Sequence, residues 1–201
     1  MCRPADSHSE GRCSSGQKCF WPPRASAHSP SPPETIIRSL RPLRPSAEGK
    51  LPALVFQPSD PEPDARLSVA AWVKATGVTN VRAPIALDAL HSVWPIASAD
   101  GIICINMIHI SPWEATLGLI KGAAAILPPG SPLYLYGPYI REGFATAPSN
   151  QAFDRSLRDR NPNWGLRDLE AVAAMAQSDG FSAPVITEMP ANNLSVVFRR
   201  M

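Results

Sequence analysis

A chain of 201 residues, 44% hydrophobic and 18% charged, is long enough to form one domain with a buried core. Its formal net charge of +2 is too small to indicate nucleic acid or a membrane surface as a partner. No apolar run approaches the roughly 20 residues of a membrane span, and the N-terminus lacks the apolar segment of a signal peptide.

Residues 1–50 are rich in proline, serine and arginine and show no sustained hydrophobic period. This composition predicts a mostly disordered or aberrant segment, with at most a short helix around residues 35–40. Cys2, Cys13 and Cys19 lie here, but their spacing fits no paired zinc motif, so no metal site is predicted. Because nothing suggests a disulfide framework, we expect a reducing cytoplasm as the location.

From Leu51 onward the chain alternates between strand and helix patterns, which predicts an α/β domain over residues 51–201 with a doubly wound sheet. The helix predicted after the first of these strands places Trp72 at a core position, and the helix after the apolar run at 102–105 has Ser111 as a plausible cap. In chain order, strands are predicted within 51–60, 81–90, 99–110, 128–139 and 183–200 (a hairpin), and helices within 61–77, 111–127, 149–160 and 169–180.

Polar side chains follow three of the predicted strands, at the sheet edge where ligands bind in such folds. Asp60 suits ribose hydroxyls, although a helix cap is an equal alternative, and Asp88 suits an exocyclic amine, although a turn aspartate is equally consistent. Asn106 offers both a donor and an acceptor. His109 suits a proton acceptor, and the alternative is an imidazole bonded to a backbone carbonyl.

Long motifs in this part of the chain resemble one family. The stretches "VFQPSD", "ICINMIHISPW", "LYLYGPY", "RNPNWGLRD" and "EMPANNLSVVFRR" are similar to the methyltransferase-like family of small class I S-adenosylmethionine-dependent methyltransferases. The resemblance runs from about Leu51 to Arg200. It implies a Rossmann-like sheet with an antiparallel C-terminal hairpin, S-adenosylmethionine as cofactor, and a small-molecule acceptor rather than a macromolecule.

The resemblance also implies roles for individual residues. Asp60 would hold the ribose, and Leu87 and Asp88 would lie by the adenine. Asn106, Met107 and His109 would line the methionine and substrate side.

On the acceptor side, we expect His109 or Tyr139 to take a proton from an oxygen or nitrogen nucleophile. Gly137 to Tyr139 would line the substrate mouth, and Asn150, Trp164 and Arg167 would close it.

One feature of the family is unmatched. Its members carry a first strand and a Gly-rich cofactor loop upstream of the "QPSD" motif, and residues 1–50 contain neither. The first strand is therefore expected to be missing or replaced, through a reading-frame error or a true truncation, and cofactor binding to be impaired. Besides a methyltransferase, a non-catalytic metabolite- or partner-binding relative, a nonfunctional frame-shifted product and a small dehydrogenase remain open.

Overall fold

The computed structural model describes residues 37–42 and 54–201. The predictions of disorder and of no zinc motif for the N-terminal segment fall outside these residues, except at 37–42. The strands are β1 (Ile37–Pro42), β2 (Leu54–Ser59), β3 (Ile102–Ile105), β4 (Pro132–Gly137), β5 (Tyr139–Ile140), β6 (Arg167–Asp168), β7 (Val185–Met189) and β8 (Asn193–Arg199). The α-helices are α1 (Pro63–Thr76), α2 (Trp113–Ile126), α3 (Pro148–Arg160) and α4 (Leu169–Ser178).

The main sheet of the described chain has the strand order β2-β1-β3-β4-β8-β7. β3 and β4 are parallel, with Ile102 opposite Leu133, whereas β8 is antiparallel to both β4 and β7. The predicted α/β architecture and its antiparallel terminal hairpin are therefore confirmed. β5 and β6 form a separate parallel pair that connects the segment after β4 to the start of α4.

The strand between β2 and β3 comes from the proline-rich N-terminal segment. β1 runs antiparallel to both neighbours, with Ile37 opposite Ser59 in β2 and Ser39 opposite Ile102 in β3. The expected replacement of the first strand is thus present, and the short helix expected around residues 35–40 is wrong. β2 and β3 supply backbone hydrogen-bond partners to β1 on both sides, and a local sequence pattern cannot predict such distant partners.

The hydrophobic core lies between the sheet and helices α2 and α4, and α2 packs closely against the loop that precedes β3. A Cβ atom at Gly118 of α2 would lie 1.9 Å from the backbone oxygen of Ala89, and one at Gly122 would lie 2.2 Å from the Trp94 ring. In this loop the predicted strand at 81–90 is reduced to two isolated parallel bridges, Phe56 with Val81 and Ser59 with Ile85. These bridges suffice to hold residues 87–88 beside the end of β2.

Helix α1 forms where it was predicted but is not a core helix. None of its residues is buried, and Trp72 and Leu67 are 57% and 68% exposed, so the core position expected for Trp72 is wrong. Gly77, at φ +66°, ends the helix as predicted, because glycine adopts this conformation without steric cost. Among the described residues, no helix combines the length and apolar character needed to cross a membrane.

Candidate functional site

A cavity of about 420 Å³ opens at the ends of β2 and β3 and is closed on its far side by the start of α2. This volume lies within the range of about 300–1,000 Å³ that is usual for small-molecule sites. Of the predicted cofactor residues, four line it, namely Asp60, Leu87, Asp88 and Met107. Ser59, Pro61, Glu62, Ala65, Ala89, Leu90, Ile110, Ser111, Pro112, Ala115 and Trp164 complete the lining.

Asp60 directly follows β2 and is only 9% exposed. Its Oδ1 accepts a hydrogen bond of 2.9 Å from the backbone N–H of Glu62, and its own N–H donates to the oxygen of Ile85. Burial raises the pKa of the carboxyl. The N-cap of α1 is Glu62, so Asp60 is not the helix cap, and its carboxylate closes the turn while lining the cavity.

Leu87 and Asp88 reach the same cavity from the loop that bridges to β2. Leu87 is 4% exposed, whereas Asp88 is half-buried. The Oδ1 of Asp88 accepts a hydrogen bond of 2.9 Å from the N–H of Leu90, so the turn function considered from the sequence is present. Because a carboxylate has about four acceptor positions, this turn bond leaves acceptor capacity for a ligand.

The chain turns sharply at Asn106, so that the predicted cofactor residues Asn106 and Met107 differ in whether they line the cavity. Asn106 has φ +57°, a left-handed conformation that asparagine tolerates better than most residues, and its N–H donates to the oxygen of Tyr136. After this turn Met107 faces the cavity, whereas Asn106 does not line it. The Oδ1 of Asn106 instead faces Gly137, where a Cβ atom would come within 3.0 Å of it.

His109 and Tyr139, the predicted proton acceptors, are buried side chains outside the lining of this cavity. The His109 ring is 0% exposed, and its centroid is 5.0 Å from that of Tyr139 in an edge-to-face contact. By distance and angle, neither ring nitrogen has a hydrogen-bond partner among the described residues, although the backbone of Gly165 acts to raise the pKa of the ring against the larger lowering effects. The alternative of an imidazole bonded to a backbone carbonyl stays a prediction. Neither residue lines the 420 Å³ cavity, and a catalytic function for them stays a prediction.

Burial controls the ionisation of both rings. Desolvation, followed by the positive charge of Arg167, lowers the pKa of His109 from 6.5 to about 3. Desolvation, followed by the influence of Cys104, raises the pKa of Tyr139 well above its usual 10. Both groups are therefore neutral at physiological pH.

Arg167 holds the loop that lines the cavity, which is more than the closing function implied from the sequence. Its Nε donates to the oxygen of Ile108 at 2.7 Å, and its Nη2 donates to the oxygens of Ser111 and Asn163. These bonds fix the segment that carries Met107 and Ser111. The arginine lies 59 positions beyond Ile108, so only the unusual "RNPNWGLRD" motif could have drawn attention to it.

A family model described as a protein of unknown function, DUF938, matches residues 47–200 of the chain. The chain belongs to this family. The match begins close to Lys50, where the sequence changes character, and it covers the domain with the cavity.

Solved structures similar to this DUF938 chain are class I methyltransferases, and they establish its fold. An O-methyltransferase family protein from Burkholderia thailandensis has a TM-score of 0.63 and 18% identity, with 74% of this chain and 44% of that chain covered. The S-adenosylmethionine-dependent methyltransferase SibL has a TM-score of 0.62 and 20% identity, with 74% of this chain and 44% of that chain covered. Human N-acetylserotonin methyltransferase, solved with SAM, has a TM-score of 0.56 and 14% identity, with 69% of this chain and 38% of that chain covered. This chain thus spans less than half the length of these proteins.

Proposed function

We propose that this DUF938 chain binds S-adenosylmethionine in the 420 Å³ cavity and transfers its methyl group to a small molecule. The observation that carries the proposal is the convergence of Asp60 and Asp88 on one cavity at the strand ends of a methyltransferase fold. Bound S-adenosylmethionine supplies a methyl group on a positively charged sulfur. The residues of the chain bind and orient the reactants, because methyl transfer depends mainly on geometry.

The chemistry of the lining suits a nucleoside. The Asp60 carboxylate accepts hydrogen bonds, as ribose hydroxyls require, and Asp88 can accept from an exocyclic amine. Leu87, Met107 and Trp164 provide apolar surface for the base in the same cavity. A cavity with mostly apolar walls and a few placed polar groups is typical of cofactor sites.

The test is isothermal titration of S-adenosylhomocysteine into the full chain, compared with the variants Asp60→Asn and Asp64→Asn. We expect Asp60→Asn to weaken binding about tenfold or more, because a hydrogen bond to a charged group contributes about 1.5–3 kcal/mol. Asp64 is the matched control, since it lies exposed on α1 and does not line the cavity.

Unchanged affinity of Asp60→Asn would remove Asp60 from the site. Absence of binding to a chain that unfolds cooperatively would refute the proposal as a whole.

The second candidate is a relative that binds a metabolite without transferring a methyl group. It is favoured by the burial of His109 and Tyr139, which leaves neither predicted proton acceptor on the cavity wall. A labelled methyl group from S-adenosylmethionine appearing in product, with candidate hydroxy and amino acceptors, would exclude this second function.

A further inference from the structure

A second cavity, of about 210 Å³, lies beside the end of β5, the start of α3 and the β7–β8 hairpin. It shares no described lining residue with the 420 Å³ cavity. Its walls combine polar and apolar side chains. Its lining includes Arg141, Phe144, Asn150, Glu188, Met189 and Leu194.

Arg141 supplies a positive charge in a fixed position. Its side chain is 22% exposed, and its guanidinium lies 3.8 Å above the centre of the Phe144 ring. Among the described residues its one ion pair joins Nη1 to the Oε1 of Glu188 at 3.2 Å. Because a guanidinium has five N–H donors, this contact leaves donors for a bound anion.

Glu188 is a weak competitor for those donors. Its side chain is 80% exposed, so water screens the ion pair and the carboxylate can move away at little cost. Arg141 is the more buried of the two charges. The cavity therefore favours an anion over a cation, even though its described lining carries one charge of each sign.

The remaining walls provide a fixed turn and apolar surface beside that anion. Asn150 is 8% exposed, and its Nδ2 donates to the oxygen of Asn192 at 3.0 Å, which fixes the hairpin turn against α3. Met189 and Leu194 provide apolar surface. Planar bidentate pairing with a carboxylate is the interaction for which arginine is best shaped.

We propose that the second cavity binds a small molecule bearing a carboxylate, which pairs with Arg141 beside the Phe144 ring. The inference is independent of the proposed function, because the second cavity shares no described lining residue with the 420 Å³ cavity. Binding of the carboxylate itself depends on the second cavity alone.

The test compares benzoate, benzamide and benzylamine in titrations of the full chain, since these probes share a ring and differ in charge. We expect benzoate to bind tightest. Arg141→Gln should weaken benzoate binding about tenfold or more, by loss of a charge-assisted pair. Glu188→Gln should strengthen it a few-fold by removing the competing carboxylate, and Arg155→Gln, an exposed position on α3, should leave it unchanged.

The Arg141 and Glu188 variants are expected to change benzoate affinity in opposite directions, so the test stays informative if one variant folds poorly. Benzamide or benzylamine binding as tightly as benzoate, no benzoate binding at millimolar concentration, or equal affinity in Arg141→Gln would each overturn the proposal. S-adenosylhomocysteine is titrated separately. If benzoate binds and S-adenosylhomocysteine does not, the carboxylate site stands and the proposed function fails. The reverse result refutes the carboxylate site alone.

Discussion

The fully buried imidazole of His109 should make the free energy of unfolding of the domain depend on pH between about 7 and 5. The folded ring stays neutral down to a pKa of about 3, whereas in the unfolded chain it protonates below 6.5. Between these two pKa values the unfolded state therefore binds a proton at His109 that the folded state does not bind. Stability from this group is complete above pH 6.5 and falls as the pH drops toward 3.

The magnitude at pH 5 follows from the unfolded value alone, because the folded pKa lies well below that pH. The difference of about 1.5 pH units, at about 1.4 kcal/mol per unit, gives a loss of about 2 kcal/mol relative to pH 7. Two kcal/mol is a large share of the about 5–15 kcal/mol by which domains are stable.

The assay is urea denaturation of the wild type and of His109→Gln at pH 7 and pH 5. Glutamine keeps a polar side chain that does not titrate, so the other groups cancel in the comparison. We expect the wild type to lose about 2 kcal/mol more than the variant between the two pH values. An equal loss of unfolding free energy in both proteins would refute the conclusion that His109 is buried and neutral. NMR signals of the His109 imidazole that titrate near pH 6 in the folded protein would refute it too.

Two further predictions concern neighbours of this ring. Arg167→Lys keeps the charge but cannot reach the oxygens of Ile108, Ser111 and Asn163 together, so S-adenosylhomocysteine should bind about tenfold more weakly while the pH profile of stability keeps its shape. Titration calorimetry measures this, and unchanged affinity would show that the loop is held without Arg167. Tyr139→Phe removes a buried hydroxyl that has no described partner and should stabilise the domain by about 1 kcal/mol in urea denaturation. A loss of stability would reveal a partner for that hydroxyl.

Much of the fold was predictable because it depends on local periodicity. The strand predicted at 99–110 is present but limited to the apolar run Ile102–Ile105, because the chain turns into a 3-10 helix at Met107–His109. Pro132–Gly137 forms the expected strand, and the terminal hairpin pairs Val185–Met189 with Asn193–Arg199. Gly77 and Gly180, at φ +66° and +82°, follow helices that end near the predicted positions. These features need only neighbouring residues and elementary backbone sterics.

The local pattern was insufficient wherever a distant segment decides the outcome. Periodicity shows that Leu67 and Trp72 belong to a helix, but it does not show whether another element packs against them. Likewise, Ser111 precedes α2 as expected, yet the N-cap is Pro112 and the Ser111 hydroxyl donates to the oxygen of Met107. In both cases the missing information is what lies opposite the side chain.

The sequence by itself determined helices α1 to α4 and the strands β2, β3, β4, β7 and β8, and it placed Asp60 and Asp88 after predicted strands, since period and turn chemistry are local properties. The tertiary structure alone decided which of those residues meet. Asp60 and Asp88 face one cavity, while the left-handed turn at Asn106 directs Met107 toward it and His109 into the core. The direction of β1 and the pairing of Arg141 with Glu188, 47 positions apart, are equally non-local. Such contacts depend on how the whole chain packs, which no stretch of sequence specifies alone.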